Sequence, residues 1–561
     1  MSSNCTNYPE RSIALIGTAG TGKTLELLKE HNGFIHEGVS PHDIYATTFR
    51  RSMVTEYSNH LNLESDEKHV YTLHALCLRL GKAGNENIVV EEKHHKMFCE
   101  TSKISYASQP ERVVDSEIPV TAPKELGNML FDVISFFKNN MLGVKDIIKY
   151  PGYEELTKKV IDPATFVADA YQKWEKYKAE KQLIDFDDML TIVYENKIMP
   201  DCKVMLFDEY QDFTPLQHAI AQMWSTQMEF VRYAGDGNQS IYGFWGASPS
   251  FFNNLKVDRK IVLDVTHRVP KNVWEYSEAI LKANRIPIPA VRTKKPNGGL
   301  KRIMSRTYYD IIKNYAENTL HLVRINDMAK PIALALAASG IPFFGVYGWT
   351  YSQVDFYNCL YKIRTGSPDV TFTSTDLMFL VKNYPKDFFN TQKMNIEDHC
   401  EKHPEDILGI FDVGKYLVHD LFGHAELFNR IRGGDPLDAC LGTLGDVKNL
   451  THMKISQALR HYNQWIDLDR IDDPSNEHRL VSIKTIHGAK GGQENNVFLH
   501  TGITRRMYNL IYRDYSYSVK SEAARAEEAR IFFVGASRTK ENLFIVQDDT
   551  KHQYILPDHV W

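Results

Sequence analysis

The sequence predicts an α/β protein with two parallel-sheet cores, each interrupted by a mostly helical insertion. The apolar runs DIYATTF, CKVMLFDEY and FVRYAGD each end in polar residues. This pattern is typical of buried parallel strands whose carboxyl ends carry functional groups. The runs TLHLVRIND and RLVSIKTIHG repeat it later in the chain and predict the second core. Residues from about 81 to 180 and from about 366 to 476 break the pattern and predict the two helical insertions.

Composition limits the class of protein. The 561 residues predict about three to five folding units. Hydrophobic residues make up 43% and charged residues 24%, which is typical of globular units with an ample core. The net charge of −5 excludes a strongly basic protein, but a basic groove on an acidic body remains compatible with nucleic acid.

Cysteine usage and apolar runs indicate the compartment. The seven cysteines include no C-x-x-C pair, which disfavours zinc ribbons, iron–sulfur clusters and a disulfide scaffold. A reduced, cytoplasmic protein is therefore expected. The first residues, MSSNCTNYPERS, lack the apolar segment of a signal peptide, and no run reaches the length of a membrane span. We expect no membrane partner.

Residues 17–24, GTAGTGKT, match the phosphate loop Gly-x-x-x-x-Gly-Lys-Thr. The segment follows the apolar run SIALI and precedes a helical pattern, which disfavours a chance match in a glycine-rich turn. Lys23 would bind the β- and γ-phosphates, and the hydroxyl of Thr24 would bind Mg²⁺. The loop residues whose backbone would face the phosphates are Gly17, Thr18, Ala19, Gly20, Thr21 and Gly22.

Two adjacent acids end the apolar run VMLF. Asp208 has the chemistry to hold Mg²⁺, and Glu209 that to orient and deprotonate an attacking water. Adjacent acids at a strand end are often only solvated, so this assignment depends on the phosphate loop upstream. Asp236 and Gln239 follow another apolar run and would reach the γ-phosphate or its water; the alternative is an ordinary turn.

Two arginines stand out downstream, Arg268 in LDVTHRVP and Arg538 in FVGASRTKENL. An arginine presented across a cleft neutralises charge in the transition state of phosphoryl transfer. A surface ion pair is the alternative for either residue, and pattern alone does not place them at a phosphate.

In their order along the chain, these segments resemble the motifs of superfamily 1 DNA helicases of the UvrD/Rep/PcrA type. The resemblance runs from residue 13 to about residue 546 and is specific because many motifs agree, although each one alone is weak. The matching segments are GTAGTGKT (motif I), ATTFRRSMVTEY (Ia), YTLHALCLRL (Ib), LIDFDDML, FDEYQDFTPLQ (II), AGDGNQSIYGFWGA (III), LDVTHRVP (IV), HLVRINDMAKPIALALAASGIPF (IVa), TIHGAKG (V) and AEEARIFFVGASRTK (VI).

The resemblance implies two RecA-like P-loop cores with ATP between them. Residues 1–80 and 181–262 would form domain 1A, and residues 81–180 the insertion 1B. Residues 263–365 and 477–561 would form 2A, and residues 366–476 the insertion 2B. By position, Gln239, Arg268 and Arg538 would contact the γ-phosphate, with Arg538 as the arginine finger. Gln493 falls on the position of a ribose-contacting glutamate.

The resemblance also implies 3′-to-5′ movement on single-stranded DNA and separation of duplex at a junction. Phe49, Tyr242 and Phe244 match positions that face bases, although each is also a plausible core aromatic. The positions that contact the DNA backbone in the family are Thr72, His74 and His487, and ordinary histidines are the alternative for the last two. Trp245 replaces a family arginine and adds a stacking surface. Protein partners are not identifiable from the sequence.

Several departures bear on the activity. The 2B region is short and lacks the family's Gly-Ile-Gly signature, so duplex binding by 2B is in doubt. One rival to a helicase is therefore an ATPase translocase that strips proteins from single strands with little unwinding. A second is a nucleotide-gated DNA-binding module with little turnover, which intact Glu209 and Arg538 disfavour.

Relaxed selectivity for the base of the nucleotide is expected. The adenine-stacking tyrosine of motif IV is His267, the arginine after the P-loop threonine is Leu25, and the residues before Gly17 contain no glutamine motif. Steady-state hydrolysis of ATP and GTP, measured side by side, should give comparable kcat/KM values. A strict preference for ATP would contradict this expectation.

Overall fold

The computed structural model describes residues 10–48, 51–61, 63, 67–81, 88–107, 125–339, 341, 343–346, 371–374, 377–378, 381, 393–402, 407–409, 481–513 and 519–558. The chain divides into two compact units. Met1–Ile303 together with Ile486–Trp561 make the first unit, and Met304–Thr485 the second. Phe49 and most of the predicted insertion 366–476 lie outside the described residues. The limits of the six predicted domain segments stay a prediction.

Strands and helices alternate along most of the described chain. The strands are β1 (Ser12–Gly17), β2 (Ile44–Thr48), β3 (Val70–Thr72), β4 (Ile88–Val89), β5 (Leu183–Ile184), β6 (Val204–Phe207), β7 (Phe230–Gly235), β8 (Arg259–Leu263), β9 (Val265–Thr266), β10 (Arg292–Thr293), β11 (Gly299–Met304), β12 (Thr319–Val323), β13 (Phe343–Gly345), β14 (Thr371–Thr373), β15 (Ile407–Gly409), β16 (Val481–Thr485), β17 (Glu494–His500) and β18 (Thr539–Gln547). The α-helices are α1 (Lys23–His36), α2 (Arg51–Asn59), α3 (Leu73–Gly81), α4 (Glu92–Thr101), α5 (Leu126–Asn140), α6 (Tyr153–Thr157), α7 (Pro163–Glu180), α8 (Phe186–Glu195), α9 (Pro215–Ser225), α10 (Pro249–Asn253), α11 (Lys271–Ala283), α12 (Ser305–Ile312), α13 (Lys330–Ala338), α14 (Lys393–Lys402), α15 (Arg505–Tyr508) and α16 (Val519–Ala536). No helix among the described residues has both the length and the apolar character needed to cross a membrane.

A parallel sheet with the strand order β3-β2-β6-β7-β1-β8 organises the first unit. The strands predicted from SIALIG, DIYATTF, VMLF and FVRYAG are confirmed as β1, β2, β6 and β7. Parallel sheets need cover on both faces, which explains why these runs are continuously apolar. Because all strands run the same way, the segments that follow β1, β6 and β7 meet at one edge.

The two faces of this sheet have separate cores. Successive residues of β6 point to opposite sides, so Leu206 belongs to the cluster that includes Phe34 of α1, and Phe207 to the cluster that includes Trp224 of α9. Both clusters consist of side chains that are almost wholly buried. The helices on either face therefore fix the sheet, and the sheet fixes the segments at its carboxyl edge.

The strands predicted later in the chain are also parallel. In the second unit, β12 and β13 flank β16 and pair with it in parallel. In the first unit, β17 pairs in parallel with β18, and helix α16 leads into β18. The prediction of an α/β protein with parallel sheets is confirmed; its division into RecA-like subdomains stays a prediction.

The insertion predicted between residues 81 and 180 is mostly helical where it is described. Helices α4, α5 and α7 pack around a core that includes Phe98, Phe137 and Trp174. Its far end is tied to the start of α8 by buried ion pairs. Lys138 lies 2.6 Å from Asp188 and 3.2 Å from Asp185, and Lys178 lies 2.6 and 2.7 Å from the same two carboxylates.

Helix α15 continues into a π-helical turn, Asn509–Arg513. Arg505 and Arg506 before it are exposed. The guanidinium of Arg513, the last residue of the turn, lies 5.8 Å from the centre of the Tyr508 ring at the end of α15. A π-helical turn accommodates an additional residue within a helix.

The acids at the start of α8 differ in their protonation. Burial acts to raise the pKa of Asp185. The charges of Lys138 and Lys178 outweigh this effect and hold the pKa well below its usual range. Burial, together with the charge of Asp185, raises the pKa of Asp187 to about 7. Asp187 accepts a hydrogen bond from the Asn139 amide and makes no ion pair among those of the described residues. Ionising Asp187 therefore costs folding free energy.

Replacing Asp187 with Asn should raise the melting temperature at pH 8. Between the ordinary pKa of 3.8 and the folded-state value of about 7, the folded protein keeps a proton that the unfolded chain has lost. Stability of the wild type therefore falls as the pH rises through this window, and the Asn variant lacks this loss. Thermal melts at pH 5 and pH 8 should show a difference that is larger at pH 8. Asp169→Asn, at an exposed position on α7, is the control, and an equal difference at both pH values would contradict the expectation.

Candidate functional site

The phosphate loop connects β1 to α1 and is held in place by a segment far along the chain. Thr266 Oγ1 donates to the Ala19 carbonyl at 2.8 Å, and the His267 N–H donates to the Gly20 carbonyl at 2.9 Å. Gly20 has a φ of +73°, and a Cβ there would lie 2.3 Å from Cβ of Arg268. The backbone of this loop therefore accepts only glycine at position 20. Arg268 lies beside the loop, and its contact with a γ-phosphate stays a prediction.

The first residues of α1 meet the carboxyl end of β6. Thr24 Oγ1 donates to Asp208 Oδ2 at 2.8 Å, and Lys23 Nζ lies 3.4 Å from the Thr18 carbonyl. Burial, followed by the charge of neighbouring Glu209, raises the pKa of Asp208 to about 6. The hydroxyl and carboxylate oxygens are a hard-oxygen donor pair that suits Mg²⁺, which commonly binds one or two carboxylates together with substrate phosphates.

Glu209 has an unusual backbone and an ionised side chain. Its φ of +52° is in the left-handed region, a conformation that costs about 1–3 kcal/mol for a non-glycine residue. Burial acts to raise the pKa of Glu209. The charges of Lys23 and Lys490 outweigh this effect and hold the pKa below its ordinary value. Gln211 donates a short hydrogen bond to the Glu209 carboxylate and accepts from the Asp236 N–H at 2.9 Å. Glu209 thus has an oriented, ionised carboxylate, and its role as general base stays a prediction.

Gln239 and Arg538, 299 residues apart, are brought together. Arg538 is 2% exposed, and its Nη2 donates to Gln239 Oε1 at 2.9 Å. The amide of Gln239 also donates to Asp236 Oδ2 at 2.7 Å. Gln493 lies next to Gly492, whose carbonyl accepts from Arg538 Nη1 at 3.3 Å. The structure therefore groups these residues around the same edge, while their roles toward a nucleotide stay predictions.

Lys490 is a site residue that sequence reasoning missed. Its Nζ makes a close ion pair with Asp212, donates to the Gln239 carbonyl and lies 5.2 Å from the centre of the Tyr242 ring. Both charged side chains are buried, with 5% and 0% exposed. The signal was present because Lys490 lies in TIHGAKG, but a lysine in a motif does not reveal its partners. Gln211, inside FDEYQDFTPLQ, was missed for the same reason.

Tyr242, Phe244 and Trp245, three of the aromatic residues predicted to bind DNA, form one cluster with His487. The ring centre of Phe244 lies 5.7 Å from that of Trp245 and 5.6 Å from that of His487. Phe244 and Trp245 are partly exposed, whereas Tyr242 and His487 are buried. The Tyr242 hydroxyl donates to the His487 carbonyl at 3.4 Å, and His487 Nε2 lies 3.1 Å from the Ile241 carbonyl. The buried pair supports the exposed pair, and a base contact by Tyr242 stays a prediction.

Thr72 and His74 lie at the start of α3. Thr72 Oγ1 accepts from the Ala75 N–H at 3.2 Å and so caps the helix. The His74 ring centre lies 5.5 Å from that of Phe186, which is 53% exposed. Burial lowers the pKa of His74 to about 4, so the ring is neutral at neutral pH. Phe186 was missed, although it stands in the quoted segment LIDFDDML.

Two protein-family models match parts of this sequence and show the family of the chain. Residues 2–260 match the UvrD/REP helicase N-terminal domain, and residues 440–549 match the UvrD-like helicase C-terminal domain. The chain belongs to the UvrD/REP helicase family. The resemblance drawn from the motifs is confirmed.

Individual members of the UvrD/REP family align over nearly the whole chain. A putative ATP-dependent DNA helicase YjcD of Bacillus subtilis is 26% identical, with 96% of this chain and 77% of that protein covered. The ATP-dependent DNA helicase PcrA of Staphylococcus epidermidis is 22% identical, with 97% and 82% covered. A probable DNA helicase II homolog of Mycoplasma genitalium is 22% identical, with 94% and 81% covered.

Replacing Lys490 with Met should destabilise the protein strongly. Removing one partner of a buried ion pair leaves an uncompensated charge and costs about 3–5 kcal/mol. The double variant Lys490→Met, Asp212→Leu should recover part of this loss because neither charge remains buried. Thermal melts of both variants measure the effect.

The matched control breaks an exposed pair. Lys173 lies 2.7 Å from Asp169, and both side chains are 60% exposed. Exposed pairs contribute about 0–1 kcal/mol, so Lys173→Met should hardly change the melting temperature. A loss for Lys490→Met no larger than this control would show that the buried pair is not stabilising.

Proposed function

We propose that this UvrD/REP family member is an ATP-dependent DNA helicase that moves 3′ to 5′ on single-stranded DNA and opens duplex at a junction. The convergence of Glu209, Gln239 and Arg538 beside the phosphate loop carries the proposal. A nucleotide store or a passive binding module has no need of a carboxylate oriented by Gln211 together with a buried arginine bonded to Gln239. The names of the aligned relatives support the same activity.

ATP binding is assigned to the phosphate loop and the residues around it. The backbone of residues 17–22 and the Lys23 ammonium would hold the phosphates. Thr24 and Asp208 would hold Mg²⁺, which fits their 2.8 Å spacing and their oxygen chemistry. When bound, Mg²⁺ neutralises charge on the β- and γ-phosphates. Gln493 and the segment carrying His267 and Arg268 complete the proposed nucleotide site.

Hydrolysis is assigned to Glu209 as general base. Gln211 fixes the carboxylate, and the cations Lys23 and Lys490 keep it ionised, so that it accepts the proton of the attacking water. Gln239 would orient that water. Lys23, Arg268 and Arg538 would stabilise the charge that develops on the transferred phosphoryl group. In the proposed domain arrangement, this chemistry takes place between the 1A and 2A domains.

DNA is assigned to the aromatic cluster and to the start of α3. Phe244 and Trp245 offer partly exposed rings to bases, and single strands bind through such stacking together with phosphate contacts. Thr72, His74 and His487 would contact the backbone, with Phe49 and Tyr242 as further base contacts. Lys490 links the two sites because it binds the Gln239 carbonyl and lies over the Tyr242 ring.

Hydrolysis should be stimulated by single-stranded DNA and should depend on Glu209. Replacing Glu209 with Gln removes the proton acceptor, and we expect a loss of about 10²–10⁴-fold in kcat. A fluorescent ATP analogue should still bind the variant. Glu229→Gln changes an exposed glutamate at the amino end of β7, away from the carboxyl edge of the sheet, and is the matched control.

Strand separation tests the direction in the same experiment. A duplex with a 3′ single-stranded tail should be opened, and the same duplex with a 5′ tail should not. Stimulated hydrolysis without separation would favour a translocase that remodels protein–DNA complexes. Hydrolysis without any stimulation by DNA would overturn the assignment of the DNA site.

A further inference from the structure

Three consecutive residues at the end of helix α5 contact three different parts of the first unit. Lys138 pairs with the two carboxylates that cap α8. Asn139 contacts Asp187 and Thr214, and Asn140 contacts the segment that carries the aromatic cluster. Helix α5 thus ends where the helical insertion meets both segments that carry the proposed chemistry.

Asn139 joins the insertion to the segment that follows Glu209. The side chain is 6% exposed, and its Oδ1 accepts from Thr214 Oγ1 at 3.3 Å. Thr214 caps helix α9, and its hydroxyl accepts from the Gln217 N–H at 3.4 Å. The chain between Glu209 and α9 is therefore fixed at its far end by a side chain of the insertion.

Asn140 joins the insertion to the turn that carries Phe244 and Trp245. Its Nδ2 donates to the Trp245 carbonyl at 3.2 Å and to the Phe136 carbonyl, one turn back in its own helix, at 2.8 Å. Gly246 has a φ of +98°, and a Cβ there would lie 2.0 Å from Asn140 Oδ1. A side chain at position 246 would therefore clash with the Asn140 amide, and glycine leaves room for it.

The helix that carries both amides is rigidly held. Val133, Phe136 and Phe137 of α5 are buried in the core of the insertion. A helix anchored in this way holds the aromatic turn and the start of α9 at a fixed spacing. A shift of either segment alone would break a hydrogen bond to α5.

We propose that Asn139 and Asn140 are positioning residues that couple the aromatic turn of Phe244 and Trp245 to the Glu209 segment through helix α5. The inference rests on the proposed function, because it assigns a route by which DNA bound at the aromatic turn raises the rate of hydrolysis. Neither asparagine touches the nucleotide site. Loss of the Asn140 bond frees the Trp245 carbonyl, and DNA then moves the turn without moving the acid segment.

The test compares two variants at position 140 with one control variant elsewhere on helix α5. Asn140→Ala removes the amide, and Asn140→Asp keeps its shape but lacks the Nδ2 donor. Asn128→Ala is the control, because Asn128 is a buried asparagine of the same helix whose side chain, among the described residues, bonds the backbone of Ala107 at 3.1 and 2.9 Å, within the insertion. Each variant is assayed for ATP hydrolysis with and without single-stranded DNA, and for the affinity of a labelled strand.

Both Asn140 variants should lower the ratio of DNA-stimulated to DNA-free hydrolysis by roughly three- to ten-fold, the size expected for one hydrogen bond. The Asn128 variant should keep the wild-type ratio. Since Asp is isosteric with Asn, it preserves the packing if Ala does not fold, and a purely structural role would leave its ratio at the wild-type value.

Two results would overturn the inference while leaving the proposed function intact. One is a wild-type ratio in both Asn140 variants, and the other is an equal loss in Asn128→Ala. If the wild type itself shows no stimulation by DNA, the proposed function fails and the coupling fails with it.

Discussion

The buried guanidinium of Arg538 is the constraint on which the arrangement of the candidate site depends. A charge removed from water is tolerated only when its donors are satisfied. Here they bind Gln239 Oε1, the Val534 carbonyl and the Gly492 carbonyl. These bonds hold the end of α16 against the turn after β7, so residues 299 positions apart share one edge of the first unit's sheet.

Neighbouring acids at this edge have opposite protonation behaviour because their surroundings differ. Burial and the charge of Glu209 raise the pKa of Asp208, whereas burial of Glu209 is outweighed by Lys23 and Lys490, which lower its pKa. Two adjacent residues thus provide one carboxylate suited to binding a cation and one suited to accepting a proton. Glu209 has a left-handed backbone, and its carboxylate accepts a short hydrogen bond from Gln211.

The sequence predicted what local pattern determines. Continuous apolar runs predicted β1, β2, β6 and β7, and the phosphate loop between β1 and α1 was predicted from glycine spacing and context. It did not predict that Lys490 pairs with Asp212, or that Asn140 binds the Trp245 carbonyl. Such partners depend on which surfaces the fold brings together, and a lysine or asparagine in a motif is compatible with many of them. The burial of Tyr242 could not be predicted for the same reason, because an aromatic residue in a sequence is equally compatible with a core and with an interface.

The π-helical turn Asn509–Arg513 has a consequence for changes in chain length. Such a turn behaves as a one-residue insertion accommodated inside a helix. Deleting a single residue there restores ordinary helical phase, and each residue of an α-helix turns the chain by about 100°. The exposed Arg505 and Arg506 would then face another direction relative to Arg513 at the end of the turn. One codon gained or lost in this turn would therefore change the direction of two positive charges while leaving the sequence of every described strand as it is.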